Sequence, residues 1–383
     1  MGRLGRLLLI YFIIMSLAAC QKKKVETANP FFEEWTTPYG VPPFDRIRPE
    51  HFLPAFERGM SLHNAEIDAI VGTSDEPTFE NTIAAYDASG RMLQRTSLIF
   101  EMLAASDATP EMQAVEQEAM PLLAAHADEI RMNERLFGRI KAVYDRREAL
   151  PLTAEQRRLT EKLYRRFVRS GALLDEAGKR RLKEINGDLS RLSVKYGNNL
   201  LHENDAFGLE LTADRLEGLP NAVREAAREK AQAAGLGDKS YLFTLHKPSM
   251  LPFLSYAKDR KLREELYTAY LDRCNHGDEY DNKALVNDYI RLRTEKAHLL
   301  GYDSYADYVT ADQMAATPAA VYALLDEIWT PALDRAGEEL AEMDKLLQKD
   351  VPDATFESWD WWYYAEKLRK QNYALDEEML RSY

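Results

Sequence analysis

Two cysteines, Cys20 and Cys274, are all that 383 residues contain. That excludes a disulfide framework as the source of stability. The chain has no surplus of positive charge either: 50 Lys and Arg stand against 63 Asp and Glu, a net charge of −13. Nucleic-acid binding rests on clustered bases, so no nucleic-acid partner is expected. The basic runs Arg165-Arg166 and Lys179-Arg180-Arg181 are interleaved with acids and read as solvated helix faces. No glycine-rich phosphate loop, nucleophile elbow or fixed-period repeat occurs. Zinc hydrolysis on a helix calls for His-Glu-x-x-His, with two His one turn apart sharing the metal and the Glu acting on bound water. Of the seven histidines only His202 precedes a Glu, and position 206 is Ala, so the motif is absent.

What is present is charged and apolar in the proportions of a folded protein, 30% and 45%. Arg3 and Arg6 precede Leu7–Ala19, an apolar run of 13 residues. That is short for a span of about 20 and fits a signal-peptide core. The run closes on Leu17-Ala18-Ala19-Cys20, which resembles the lipobox of bacterial lipoproteins. The resemblance implies removal of residues 1–19, lipidation of Cys20, and a membrane partner through that lipid in the bacterial cell envelope. Loss of Arg3 and Arg6 would take the net charge from −13 to −15. Residues 20–35 read as a tether.

The body reads as almost wholly helical. Pro42-Pro43 excludes a helix, whereas Pro49 opens one carrying Phe52, Leu53, Phe56 and Met60 and stopping at Gly72. Another opens at Pro77–Ile83. Thr153 and Gln156 fit a capping box. Leu182, Ile185, Leu189, Leu192 and Tyr196 recur by threes and fours, a core stripe. Alternation at 206–212 and 240–246 predicts a two-stranded ribbon with a helical insertion. Thr317 and Pro318 cap and open a helix over 318–329, and Gly301 ends another. The aromatic helix beginning at Trp359 runs on past Lys370 to Tyr383 without a capping Gly or Pro, the pattern of a chain cut in mid-architecture.

Candidate sites are few. Glu295 and His298 share a helix face at the spacing of di-iron bundles, but no second such pair exists, so a charged face is expected. His276-Gly277-Asp278-Glu279 reads as a polar turn, Cys274 as a buried thiol, and Trp359–Tyr364 as packing.

Longer stretches carry more. Pro43–Glu57, Pro77–Ile83, Gly218-Leu219-Pro220, Tyr241–Leu245, Arg260-x-x-Arg263-Glu264, Asp281-Asn282, Arg293-x-Glu295-x-Ala297, Leu299–Tyr302, Met314-Ala315 and Trp359-Asp360 through Leu375–Glu378 follow one another in order. Together they resemble bacterial peptidyl-dipeptidases of the thimet oligopeptidase family of zinc metallopeptidases. The resemblance implies an all-α, multi-helical zincin architecture of the neurolysin type, with two lobes facing a deep channel that admits short peptide substrates. It implies residues 36–250 as an N-terminal helical lobe and 251–383 as the start of the catalytic lobe. It places the zinc helix downstream of the Trp359–Glu378 tract, so the zinc and catalytic residues are expected beyond Tyr383. This chain is then expected to bind no zinc, to be inactive alone, and to be a monomer. The alternative is a non-catalytic, lipid-anchored helical peptide-binding protein.

Overall fold

The computed structural model describes residues 29–373. The signal segment, Cys20, and the Leu375–Glu378 and Tyr383 positions lie outside them. Thirteen α-helices of six residues or more, several short helical turns and one small ribbon make up the described residues. They divide into two compact units, one of the described residues up to 194 with 292–302, the other of 195–291 with the described residues from 303 on.

In the first unit, α1 (Phe52–Gly72), α2 (Arg91–Ser106) and α3 (Pro110–Arg131) surround a cluster of aromatic rings. Phe52 meets Phe31 at 5.2 Å between centroids and Phe100 at 5.1 Å, edge to face in the second case. Each buried Phe contributes about 1.5–3 kcal/mol through the apolar area it removes from water. Phe31 is inside this core and Asn29 is buried, its side chain donating to the His51 carbonyl. Residues 29–35 therefore belong to the folded body, and the tether expected over 20–35 does not extend through them. Their three aromatic side chains gain more by packing than a solvated linker would.

A second cluster joins α1 to α4 (Glu134–Asp145), α5 (Ala154–Arg169) and a wide π-type turn at Phe79–Ala84. The predicted capping box is formed: Thr153 N–H donates to the Gln156 side chain, and Gln156 N–H to Thr153 Oγ1. The long α6 (Glu176–Ala206) buries Leu182 and Ile185, whereas Leu189 and Leu192 are half-buried and Tyr196 is exposed. The stripe is thus core over its first turns only. Lys179, expected on a solvated face, is buried, and its ammonium reaches Glu134 at 2.6 Å and Glu176 at 3.3 Å. Its aliphatic stem covers apolar surface while the head finds carboxylates.

In the second unit, β1 (Leu209–Leu211) pairs antiparallel with β2 (Tyr241–Phe243), Leu209 opposite Phe243 and Leu211 opposite Tyr241. Glu210 points out and Leu209 and Leu211 in, as the period-two pattern requires. The strands are shorter than the alternation suggests because α6 runs on to Ala206. Between them lies α7 (Asn221–Ala233), and after them α8 (Lys247–Tyr256) and α9 (Arg260–Leu271) complete the core. Gly218 sits at φ +91°, and a Cβ there would lie 2.3 Å from the Tyr256 carbonyl oxygen. Only glycine fits that turn.

α10 (Lys283–Leu299) and the short α11 (Tyr305–Thr310) precede α12 (Pro318–Asp350). Thr317 caps α12 through the Ala320 N–H, as expected. The helix does not stop at Trp329 but continues through Pro331 to Asp350. A proline removes one backbone donor and tolerates the turn behind it, and strong helix formers from Ala332 to Leu347 carry the pattern on. Met343 and Leu347 of α12 pack on Tyr364 of α13 (Trp361–Tyr373).

Candidate functional site

Polar clusters with defined geometry occur in both units. The first is built on α1, α3 and the turn before α2. His63 Nδ1 faces His126 Nε2 at 3.0 Å, and His63 Nε2 faces Ser89 Oγ at 3.2 Å. Ser89 Oγ donates its one proton to the Tyr86 carbonyl at 2.7 Å. It therefore accepts from His63 Nε2–H, which leaves His63 Nδ1 bare to accept from His126 Nε2–H. Gly90, at φ +71°, lies against the His63 ring, where a Cβ would come within 3.0 Å. Its N–H donates to Glu66 at 2.6 Å. Burial lowers the pKa of His63, His126 lowers it further, and Glu66 opposes both. Burial likewise lowers His126, against Glu129.

These residues border a cavity of about 650 Å³ that Tyr86, Glu101, Arg131 and Arg166 also line. The order Ser–His–His is not a nucleophilic triad. The serine proton is committed to a carbonyl, and among the described residues no carboxylate orients the second imidazole through a hydrogen bond. The arrangement is a neutral clamp between helices.

The second cluster is an ion-pair network. Asp360, fully buried, accepts from Arg260 Nη2 at 2.7 Å and from Arg263 Nη2 at 2.8 Å. Arg263 is itself buried, and its Nη1 donates to the Ala257 carbonyl at 2.8 Å. Its guanidinium stacks 4.2 Å from the centroid of Tyr363. Burial pushes the Asp360 pKa up, but the hydrogen bonds from Arg260, Arg263 and the Glu357 N–H outweigh it and leave it below the usual carboxylate range. Arg260-x-x-Arg263 places both bases on one helix face; nothing in the sequence says that Asp360, about 100 positions on, completes them.

The candidates singled out by sequence prove structural. Glu295 accepts both Nε and Nη2 of Arg181, at 2.6 and 2.9 Å, which occupies the carboxylate. Neighbouring Lys296 donates to Asn186 at 2.7 Å, and Asn186 Nδ2 donates to both oxygens of Asp128 at 2.9 Å. Burial lowers the Lys296 pKa and raises that of Asp128. His276 is in a polar turn, 3.1 Å from Glu203. Cys274 is buried, with its thiol pKa raised by that burial. Of the aromatic tract, Tyr364 is buried and Trp362 packs on Tyr267. Among the described residues no three His, Cys, Asp or Glu come together to hold a metal ion. No described helix is long and apolar enough to cross a membrane.

Residues 253–383 match Peptidase family M3, and the chain belongs to that family of metallopeptidases. Over 358 residues, 93% of the chain, it is 36% identical to the dipeptidyl carboxypeptidase of Escherichia coli, and equally to that of Salmonella typhimurium. Oligopeptidase A of Haemophilus influenzae is 30% identical over 351 residues. The chain covers 52%, 52% and 51% of these relatives, so it spans about half the length of the curated proteins it matches. The family's metal is zinc. The residues present do not fit it, since no donor set exists among the described positions and the sequence has no His-Glu-x-x-His.

Proposed function

We propose that this polypeptide supplies part of a lipid-anchored zinc peptidase that releases dipeptides from the C-termini of short peptides. The observation that carries the reading is the 36% identity to dipeptidyl carboxypeptidase along 93% of the chain. The lower identity to oligopeptidase A, 30%, favours dipeptide release over internal cleavage. In this reading residues 36–250 form a helical lobe and 251–383 begin the catalytic lobe. The family match, which begins at residue 253, supports that boundary. The polypeptide is a monomer held at the cell envelope through Cys20. Its 383 residues hold no zinc motif, so by themselves they cleave nothing.

The test incubates the purified chain with zinc and N-blocked pentapeptides and follows products by mass spectrometry. No dipeptide is expected. Dipeptide release that a chelator abolishes would overturn the claim that these residues alone are inactive.

A further inference from the structure

The cavity beside His63 and His126 has a second set of polar groups, and this set is uncommitted. Tyr86 lines it from the segment before α2, Arg131 from the last residue of α3, and Arg166 from the last turn of α5. His63, His126 and Ser89 satisfy one another. Tyr86, Arg131 and Arg166 do not. Among the described residues neither guanidinium makes a hydrogen bond or an ion pair, and the Tyr86 hydroxyl has no partner. A base at a helix C-terminus commonly bonds the last carbonyls. Arg131 does not, and the carbonyls of Asp128 and Ile130 accept from the Met132 N–H instead. Burial raises the Tyr86 pKa, and both guanidiniums lie close enough to oppose the rise. The phenol therefore keeps its proton at neutral pH and can donate it.

The rest of the lining selects the ligand. Leu93 and Ile130 are buried and Leu123 is half-buried, which gives the cavity an apolar wall. Asp87 and Glu101 line it as well, so two carboxylates balance the two guanidiniums. A polyanion would meet those carboxylates, whereas a single carboxylate can accept from guanidinium forks through paired, charge-assisted hydrogen bonds. The volume of about 650 Å³ lies in the range of small-molecule sites and exceeds what a bare inorganic anion fills. We propose that this cavity binds a small amphipathic monocarboxylate, its head held by Arg131 and Arg166 with the Tyr86 hydroxyl donating, and its apolar body along Leu93, Leu123 and Ile130. An acyl chain and the C-terminal end of an apolar peptide share that chemistry. The site goes beyond the peptidase reading, since it uses residues of this chain alone and needs no zinc.

The test is isothermal titration calorimetry of the full chain without added zinc. Octanoate represents the acyl source and N-acetyl-Ala-Phe the peptide source. At least one should bind with a Kd of about 1 mM or tighter, and the tighter of the two names the source. Octanamide and the amide of N-acetyl-Ala-Phe keep the body and lose the charge, and each should bind about ten-fold more weakly or worse than its acid. Arg131→Gln combined with Arg166→Gln should weaken binding by a similar factor, while Arg335→Gln, on α12, leaves it unchanged. The proposal is overturned if neither carboxylate binds, if the amides bind as well as the acids, or if the double variant, with parental circular dichroism, binds like the parent. Inorganic phosphate that competes on equal terms marks a plain anion site and also overturns it. Where the double variant folds poorly, the comparison of acids with amides on the unaltered chain decides.

Discussion

The His63–His126 contact is a pair of neutral imidazoles, and its energetics follow from that. Both pKa values are held below the ordinary histidine value of about 6.5 by burial, so the unfolded chain binds these protons more readily than the folded one. Stability from the pair is complete above that value and is lost as pH falls below it toward the folded pKa. Glu66 and Glu129 face the pair and soften the effect, and Glu101, Asp87 and Arg131 line the same cavity. Urea titrations of the parent between pH 7.5 and 5 should show a fall in stability, and His126→Gln should flatten it; parallel curves for the two proteins would show that the pair is not the source. Asp360 acts with the same sign in a lower pH window. Its carboxylate is favoured in the folded state, so its contribution is complete above the usual carboxylate range and is lost as pH falls from there through the lower folded pKa. Asp360→Ala leaves Arg263 buried without its counter-charge and should cost about 3–5 kcal/mol in chemical denaturation. A loss under about 1 kcal/mol would mean that solvent reaches Arg263 and that the network is a surface pair.

At the scale of elements, short-range signals act where they stand. Thr153→Ala removes the acceptor for the Gln156 N–H and should cost about 1 kcal/mol, read as a shift in the urea midpoint. Gly218→Ala should cost more, because its Cβ would strike the Tyr256 carbonyl at 2.3 Å, and the turn that holds the ribbon against α8 and α9 would have to move. Equal losses from the two changes would show that the turn relaxes. The helix α12 is the instructive failure of local reading. Pro331 looks like a stop, yet a proline costs a helix one donor and a local bend, and the residues on either side favour the helix enough to carry it to Asp350. Strand ends were legible to within a few residues and no better, because alternation in 206–208 is compatible with the last turn of α6 as well as with a strand.

For the whole molecule, membership of the M3 family rests on sequence along nearly all of the chain. Relatedness runs along 93% of the chain, the chain spans about half the length of those relatives, and its sequence contains no His-Glu-x-x-His. The proposed anchor is tested independently of activity. Metabolic labelling with palmitate in a bacterial host should mark the wild-type chain and not Cys20→Ser; equal labelling of both would remove Cys20 as the lipid site. Two compact units each bury their own clusters, so unfolding followed by near-ultraviolet circular dichroism and by hydrogen exchange can report them separately.

Composition and pattern by themselves determined the all-α class, the ribbon with its helical insertion, the capping box at Thr153, the absence of a zinc motif, and the family resemblance. Each rests on residues within a few positions of one another, or on an ordered series of such groups. The tertiary structure alone decided which charges are paired. Glu295 read as part of a charged helix face with no partner named, until Arg181, over a hundred positions away, closed on it. Lys179 looked solvated until Glu134 was brought beside it. Asp360 showed no sign of burial between two tryptophans. His63, His126 and Ser89 carry no motif at all. Pairings of this kind cost little in sequence pattern because burial and charge neutralisation act through space, and a chain read in order records only separations along itself.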